Sequence, residues 1–150
     1  MNPSEGSPGF EIVNVREFNA PRERLFEVFS DPVHLVHWWG PNGFTNEFSE
    51  FDLRPGGAWR FVMRGPDGAE YQMEKEFVEV AVPERIVLDH MDPMHRFRMT
   101  MILADLAGRT GLTWQMLFAD AEEGARIEGF IRAANEENFD RLEDYLAKLG

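Results

Sequence analysis

From Phe44 to Phe118 the chain is cut by turn chemistry at short intervals, and from Ala121 to Leu149 it holds no proline and repeats with the period of a helix. That pairing leaves few architectures. Short strands joined by tight turns pair antiparallel, because a parallel neighbour needs a crossover of about a dozen residues or more. A single long helix with one apolar stripe must bury that stripe, and the sheet is the large surface on offer. The expectation is an α+β protein in which a curved antiparallel sheet wraps around a long C-terminal helix, in the order β-α-α-β(six)-α.

The elements follow from local chemistry. Phe10 to Phe18, with Ile12, Val13 and Val15, predicts a first strand. Pro21 opens a short amphipathic helix carrying Leu25, Phe26 and Phe29. Asp31, a good N-cap, and Pro32, a good first residue, predict a second helix to Trp38, and the Trp38-Trp39-Gly40-Pro41-Asn42-Gly43 run must be loop. Strands are expected over Phe44–Phe51, Ala58–Arg64, a segment returning from Gly65-Pro66-Asp67-Gly68, Arg85–His90, His95–Ala104 and Thr110–Phe118. In the returning segment Tyr71, Met73 and Phe77 share one face while Val78 and Val80 share the other, a change of parity that predicts a β-bulge near Phe77. On the last helix Ile127, Ile131, Ala134, Leu142, Tyr145 and Leu149 form the apolar stripe, and Asn138 interrupts it.

Composition narrows the partners. Twenty-seven acidic residues against fifteen basic ones give a formal charge of −12, and no basic stripe offsets that field, so neither nucleic acid nor an anionic membrane is an expected partner. The chain has no cysteine, which removes disulfides, thiolate metal sites and thiol nucleophiles. It has no signal-like start and no apolar run of membrane-spanning length, so it reads as cytoplasmic. At 150 residues one domain is expected over 10–150, behind a flexible leader over 1–9.

Phe18-Asn19-Ala20-Pro21-Arg22-Glu23-Arg24-Leu25-Phe26, Trp38-Trp39-Gly40-Pro41, Phe51-Asp52-Leu53-Arg54-Pro55-Gly56-Gly57-Ala58-Trp59-Arg60-Phe61, Gly65-Pro66-Asp67-Gly68 and Val82-Pro83-Glu84-Arg85-Ile86-Val87 follow one another in this order. Together they resemble the homologues of the heat-shock protein 90 ATPase activator, within the START-like (SRPBCC, helix-grip) superfamily. The resemblance implies the helix-grip fold and a largely apolar cavity between sheet and C-terminal helix. One departure is visible: Ala134-Asn135 stands where the family often has a Gly-Trp pair.

Within that frame Trp38, Trp39, Trp59, Phe61, Met63, Tyr71, Met73, Phe97, Met99, Met101, Trp114, Met116 and Leu142 line either a ligand cavity or a solid core, since aromatic faces and adaptable Met side chains suit both. Asn138 and Lys75 break apolar patterns, and a buried polar group needs a partner, a ligand or water. For Lys75 a bulge that turns it outward is the simpler reading. Gln72, Glu74 and Glu76 read as a solvated face, and Arg60, Arg64, Arg96 and Arg98 as the outside of the sheet. His34 and His37 have metal-ligand spacing but no third ligand nearby, while His90 and His95 flank the Met91-Asp92-Pro93-Met94 loop. Neither Gly-x-Ser-x-Gly nor a phosphate-binding glycine loop occurs.

Three functions are in view. The first is a non-enzymatic START-like protein that holds a small hydrophobic or amphipathic molecule, with no cofactor and no metal. The second is a cyclase-, dehydratase- or hydrolase-like enzyme of the same fold, which demands at least two convergent titratable groups inside. The third, implied by the resemblance, is a chaperone cofactor for a heat-shock protein 90 ATPase; full activators carry a further N-terminal domain, and nine leader residues are not one. The Trp38-Trp39 pair suits a pocket mouth or a homodimer interface equally well.

Overall fold

The computed structural model describes residues 9–92 and 95–149. Most of the expected leader, and Pro93-Met94, therefore lie outside the described residues. The order is β1 (Phe10–Phe18), α1 (Arg22–Ser30), α2 (Pro32–Trp38), β2 (Thr45–Phe51), β3 (Ala58–Arg64), β4 (Glu70–Ala81), β5 (Arg85–His90), β6 (Phe97–Asp105), β7 (Thr110–Phe118) and α3 (Ala121–Leu149). All seven strands form one sheet, β1-β7-β6-β5-β4-β3-β2, with every pairing antiparallel. This is the α+β arrangement expected from the residues and the helix-grip fold that the family resemblance implies.

Local chemistry explains the joints. The Asp31 carboxylate accepts the Val33 N–H at 3.0 Å and starts α2 immediately after α1. Register shifts at Phe48/Glu50 and at Phe77/Glu79 mark bulges, the second of them where the change of parity predicts one. Gly57 lies so close to the preceding turn that a Cβ there would sit 1.9 Å from the Asp52 carbonyl oxygen. Gly57→Ala should therefore cost about 2 kcal/mol, read as a lowered denaturation midpoint with an unchanged slope.

The concave face carries the core. Four tryptophans, Trp38, Trp39, Trp59 and Trp114, are all buried there, with Phe61, Met99, Met101, Met116, Phe139 and Leu142. The convex face is charged: Arg60 pairs with Glu50 and Glu74, Arg64 with Glu70 and Arg98 with Asp89. Helix α3 lies chiefly against β1 and α2.

The helix differs from expectation in where its stripe is centred. Gly124, Asn135, Asn138, Phe139 and Leu142 are buried, whereas Ile127, Ile131, Tyr145 and Leu149 are only partly covered. Leaning on β1 on one side and α2 on the other rotates the buried line, and Phe139 falls at its centre. Glu123 is buried too, and the His95 ring gives its carboxylate a partner at 2.6 Å. No described helix is long and apolar enough to cross a membrane.

Candidate functional site

Strand pairing places one residue from each strand in a row that crosses the whole sheet. Phe51 faces Trp59, Trp59 faces Lys75, Lys75 faces His90, His90 faces Phe97, Phe97 faces Phe118 and Phe118 faces Phe10. Five members are aromatic hydrocarbons or indole, and the two in the middle are an amine and an imidazole. Lys75 is 2% exposed and His90 6%.

Lys75 Nζ lies 3.2 Å from His90 Nδ1 and 5.1 Å from the centre of the Phe97 ring, on which His90 also stacks at 4.7 Å. Among the described residues no carboxylate forms an ion pair with Lys75. Burial therefore pushes its ammonium down to about 7, and burial followed by the neighbouring Lys75 pushes His90 down to about 3. Near neutrality the imidazole is uncharged and the amine is divided between its two forms.

The outward turn expected of Lys75 does not occur. The bulge falls between Phe77 and Glu79, beyond Lys75, so Tyr71, Met73, Lys75 and Phe77 stay in phase and Lys75 points inward with Phe77. Tyr71 is the outlier. It is 47% exposed beside Phe44, because the β3–β4 hairpin end projects past the helical cover, and it is not part of the interior. Met73 and Phe97 are partly covered, while Trp59, Phe61, Met63, Met99, Met101, Trp114, Met116 and Leu142 are buried in one cluster.

Trp38 and Trp39 are also buried, so they form neither a pocket rim nor a face for a second copy. Trp38 donates its indole N–H to the Val28 carbonyl at 3.0 Å, and Trp39 stacks on Trp114 at 5.3 Å and meets Trp59 edge-on at 4.9 Å. The indole N–H groups of Trp59 and Trp114 find no acceptor among the described residues. The space enclosed by Phe29, Leu35, Trp39, Phe51, Trp59, Phe77, Leu88 and Met101 is about 10 Å³, room for about one water. This small space lies between the sheet and the two short helices, and no residue of α3 lines it. Grooves of about 370 and 320 Å³ open elsewhere, and His90 contributes to the walls of both.

Asn138 has a structural occupation. Its Oδ1 accepts the Gly40 N–H at 3.1 Å and its Nδ2 donates to the Trp38 carbonyl at 2.7 Å, so the amide is used up in holding the loop after α2. Sequence reasoning missed its neighbour Arg141, whose guanidinium donates to the carbonyls of His37, Trp39, Gly40 and Pro41 at 3.0–3.1 Å. Only its position one turn beyond Asn138 could have marked it. His34 Nδ1 lies 2.7 Å from the Tyr145 hydroxyl and His37 stacks on the same ring, which accounts for both histidines. No group of three or more His, Asp or Glu converges among the described residues.

The sequence model of the activator of Hsp90 ATPase homolog 1-like proteins matches residues 19–147. The chain belongs to this family. Solved structures agree on the fold. A protein from Arthrobacter aurescens is 23% identical, with 93% of this chain and 87% of that one covered, at a TM-score of 0.85. A protein from Rhodobacter sphaeroides, also 23% identical, covers 95% and 97% at a TM-score of 0.84. One from Silicibacter pomeroyi, again 23% identical, covers 93% and 99% at a TM-score of 0.75. No protein with a curated description matches the chain. Asn135 is buried on α3, donating to Asn14 Oδ1 at 3.0 Å and to the Met116 sulfur at 3.5 Å.

Proposed function

We propose that the domain receives a small, largely apolar molecule between the sheet and α3, with its polar end turned toward Lys75 and His90. The observation that supports this reading is the amine–imidazole pair itself: two hydrogen-bonding groups set in the middle of an aromatic row, with no ion pair from a carboxylate to the amine among the described residues. Proteins rarely bury lysine unpaired, because the cost is several kcal/mol. The unmet N–H groups of Trp59 and Trp114 add donors suited to an oxygen acceptor. Room for such a molecule comes from side chains that repack, and the buried Met99, Met101 and Met116 are suited to that.

The same pair keeps an enzymatic reading alive, since it supplies the two convergent titratable groups that such a reading demands. Binding comes first in either case. All four tryptophans lie in the core, so their fluorescence reports an occupant directly. Titration with hydrocinnamyl alcohol, decanoate and anilinonaphthalenesulfonate should give saturable quenching and a raised melting temperature with at least one of them. A panel that changes neither signal overturns the proposal.

A further inference from the structure

We infer that Lys75 is a nucleophilic amine and that the molecule it meets is a small hydrophobic aldehyde or ketone, held reversibly as an imine. This rests on the binding reading above and goes beyond it by naming the chemistry of the polar end. The fifteen basic residues include only two lysines, Lys75 and Lys148. Lys148 is exposed near the end of α3, whereas Lys75 sits on the inner face of β4 with Trp59 opposite it on one side and His90 on the other.

The surroundings favour a neutral amine over a cation. Facing Lys75 are His90 from β5 and Phe97 from β6; Asp92, His95 and Glu123 lie further along, acting on His90 or paired with one another. No described carboxylate forms an ion pair with the amine, and desolvation holds it near 7, so a large fraction carries a free lone pair at neutral pH. The uncharged His90 imidazole can accept one amine N–H at Nδ1 over 3.2 Å, which fixes the direction of that lone pair. A carboxylate ligand would have to bring two charges into an aromatic interior. A carbonyl brings none, and it meets the amine in the form that burial favours.

The step balances without a redox partner. The Lys75 nitrogen forms a bond to the carbonyl carbon, and the carbonyl π electrons move to oxygen, which takes up a proton released by nitrogen. The carbon–oxygen bond then breaks, the second amine hydrogen leaves with the oxygen as water, and the nitrogen lone pair closes the imine. Hydrolysis reverses each stage. Trp59 Nε1, on the residue opposite Lys75, is a donor that finds no acceptor among the described residues.

The test is reductive trapping of the intact protein with hydrocinnamaldehyde and sodium cyanoborohydride at pH 7, followed by peptide mapping. Labelling of Lys75 should exceed that of Lys148 by about tenfold or more, since the neutral fraction of an amine near 7 exceeds that of an ordinary lysine by roughly a thousandfold before access is counted. The preference should vanish in denaturant, and Lys75→Met should leave only the Lys148 and N-terminal background. Equal or greater labelling of Lys148 in the folded protein overturns the inference. If hydrocinnamyl alcohol quenches tryptophan fluorescence while the aldehyde leaves Lys75 unlabelled, the imine falls and the binding reading stands. If no member of the binding panel changes the fluorescence or the melting temperature and the aldehyde leaves Lys75 unlabelled, both fall.

Discussion

Lys75→Met should stabilise the protein by about 3 kcal/mol at pH 7, visible as a melting temperature raised by roughly 6–12 °C. The reason lies in what burial does to the amine. With Lys75 pushed from 10.5 down to about 7, the unfolded chain carries a proton there, between those two values, that the folded chain lacks. Stability from this group therefore rises with pH from about 7 to 10.5, and the penalty is present in full below about pH 7. Met removes the penalty while keeping a flexible side chain of similar length, at the cost of leaving His90 Nδ1 without its partner. The advantage of the variant should therefore shrink as pH is raised from 7 toward 10. His90 works in the same direction at lower pH: depressed to about 3, it makes stability fall as pH drops from about 6.5. Urea titrations of both proteins at pH 7 and pH 10 check this, and a variant less stable than the parent at pH 7 would show that the lysine contributes packing or pairing worth more than its burial costs.

Asn138→Leu should act in the opposite sense, costing about 3 kcal/mol. Leu has nearly the same shape and suits a helix, so packing and propensity change little. What changes is that the Gly40 N–H and the Trp38 carbonyl, both within the protein, lose their partners at once. Gly40 cannot adjust freely: its φ is +100°, and a Cβ there would come 2.5 Å from the Met63 side chain. The melting temperature should fall by roughly 6–12 °C, and Asn138→Asp, which keeps the acceptor and loses the donor, should fall between parent and Leu variant. A Leu variant as stable as the parent would mean that Arg141 holds the loop unaided.

How far these features could be read from the sequence depended on the range of the interaction. Strand and helix limits are local, set by Asp31-Pro32, by Gly65-Pro66-Asp67-Gly68 and by alternating side chains, and they emerge close to expectation: α2, β3, β5, β7 and α3 end where predicted. The position of Lys75 turned on one residue. Its parity with Met73 and Phe77 pointed inward, but where the bulge fell decided the matter, and a bulge is a property of a strand pair rather than of one strand. The row of Trp59, Lys75, His90 and Phe97 was invisible for the same reason, because it requires the register of three separate pairings. Asn138 was conspicuous in the sequence for the right cause, an amide in an apolar stripe. Its partners are backbone groups about a hundred residues away, which no pattern of side chains announces.

Arg141 and Asn138 have a mechanical consequence. Between them they take hold of five consecutive backbone units, from His37 to Pro41, through carbonyl and amide groups that no side-chain substitution in the loop can alter. The loop is in effect riveted to the middle of α3, so the two travel together and cannot slide past one another. A swing of the helix away from the sheet would lift Trp39 off Trp114 and Trp59 in the same stroke, with the short link through Ala119 and Asp120 as its pivot. Helix and tryptophan would then work as one lever, opening the interior from a single fulcrum.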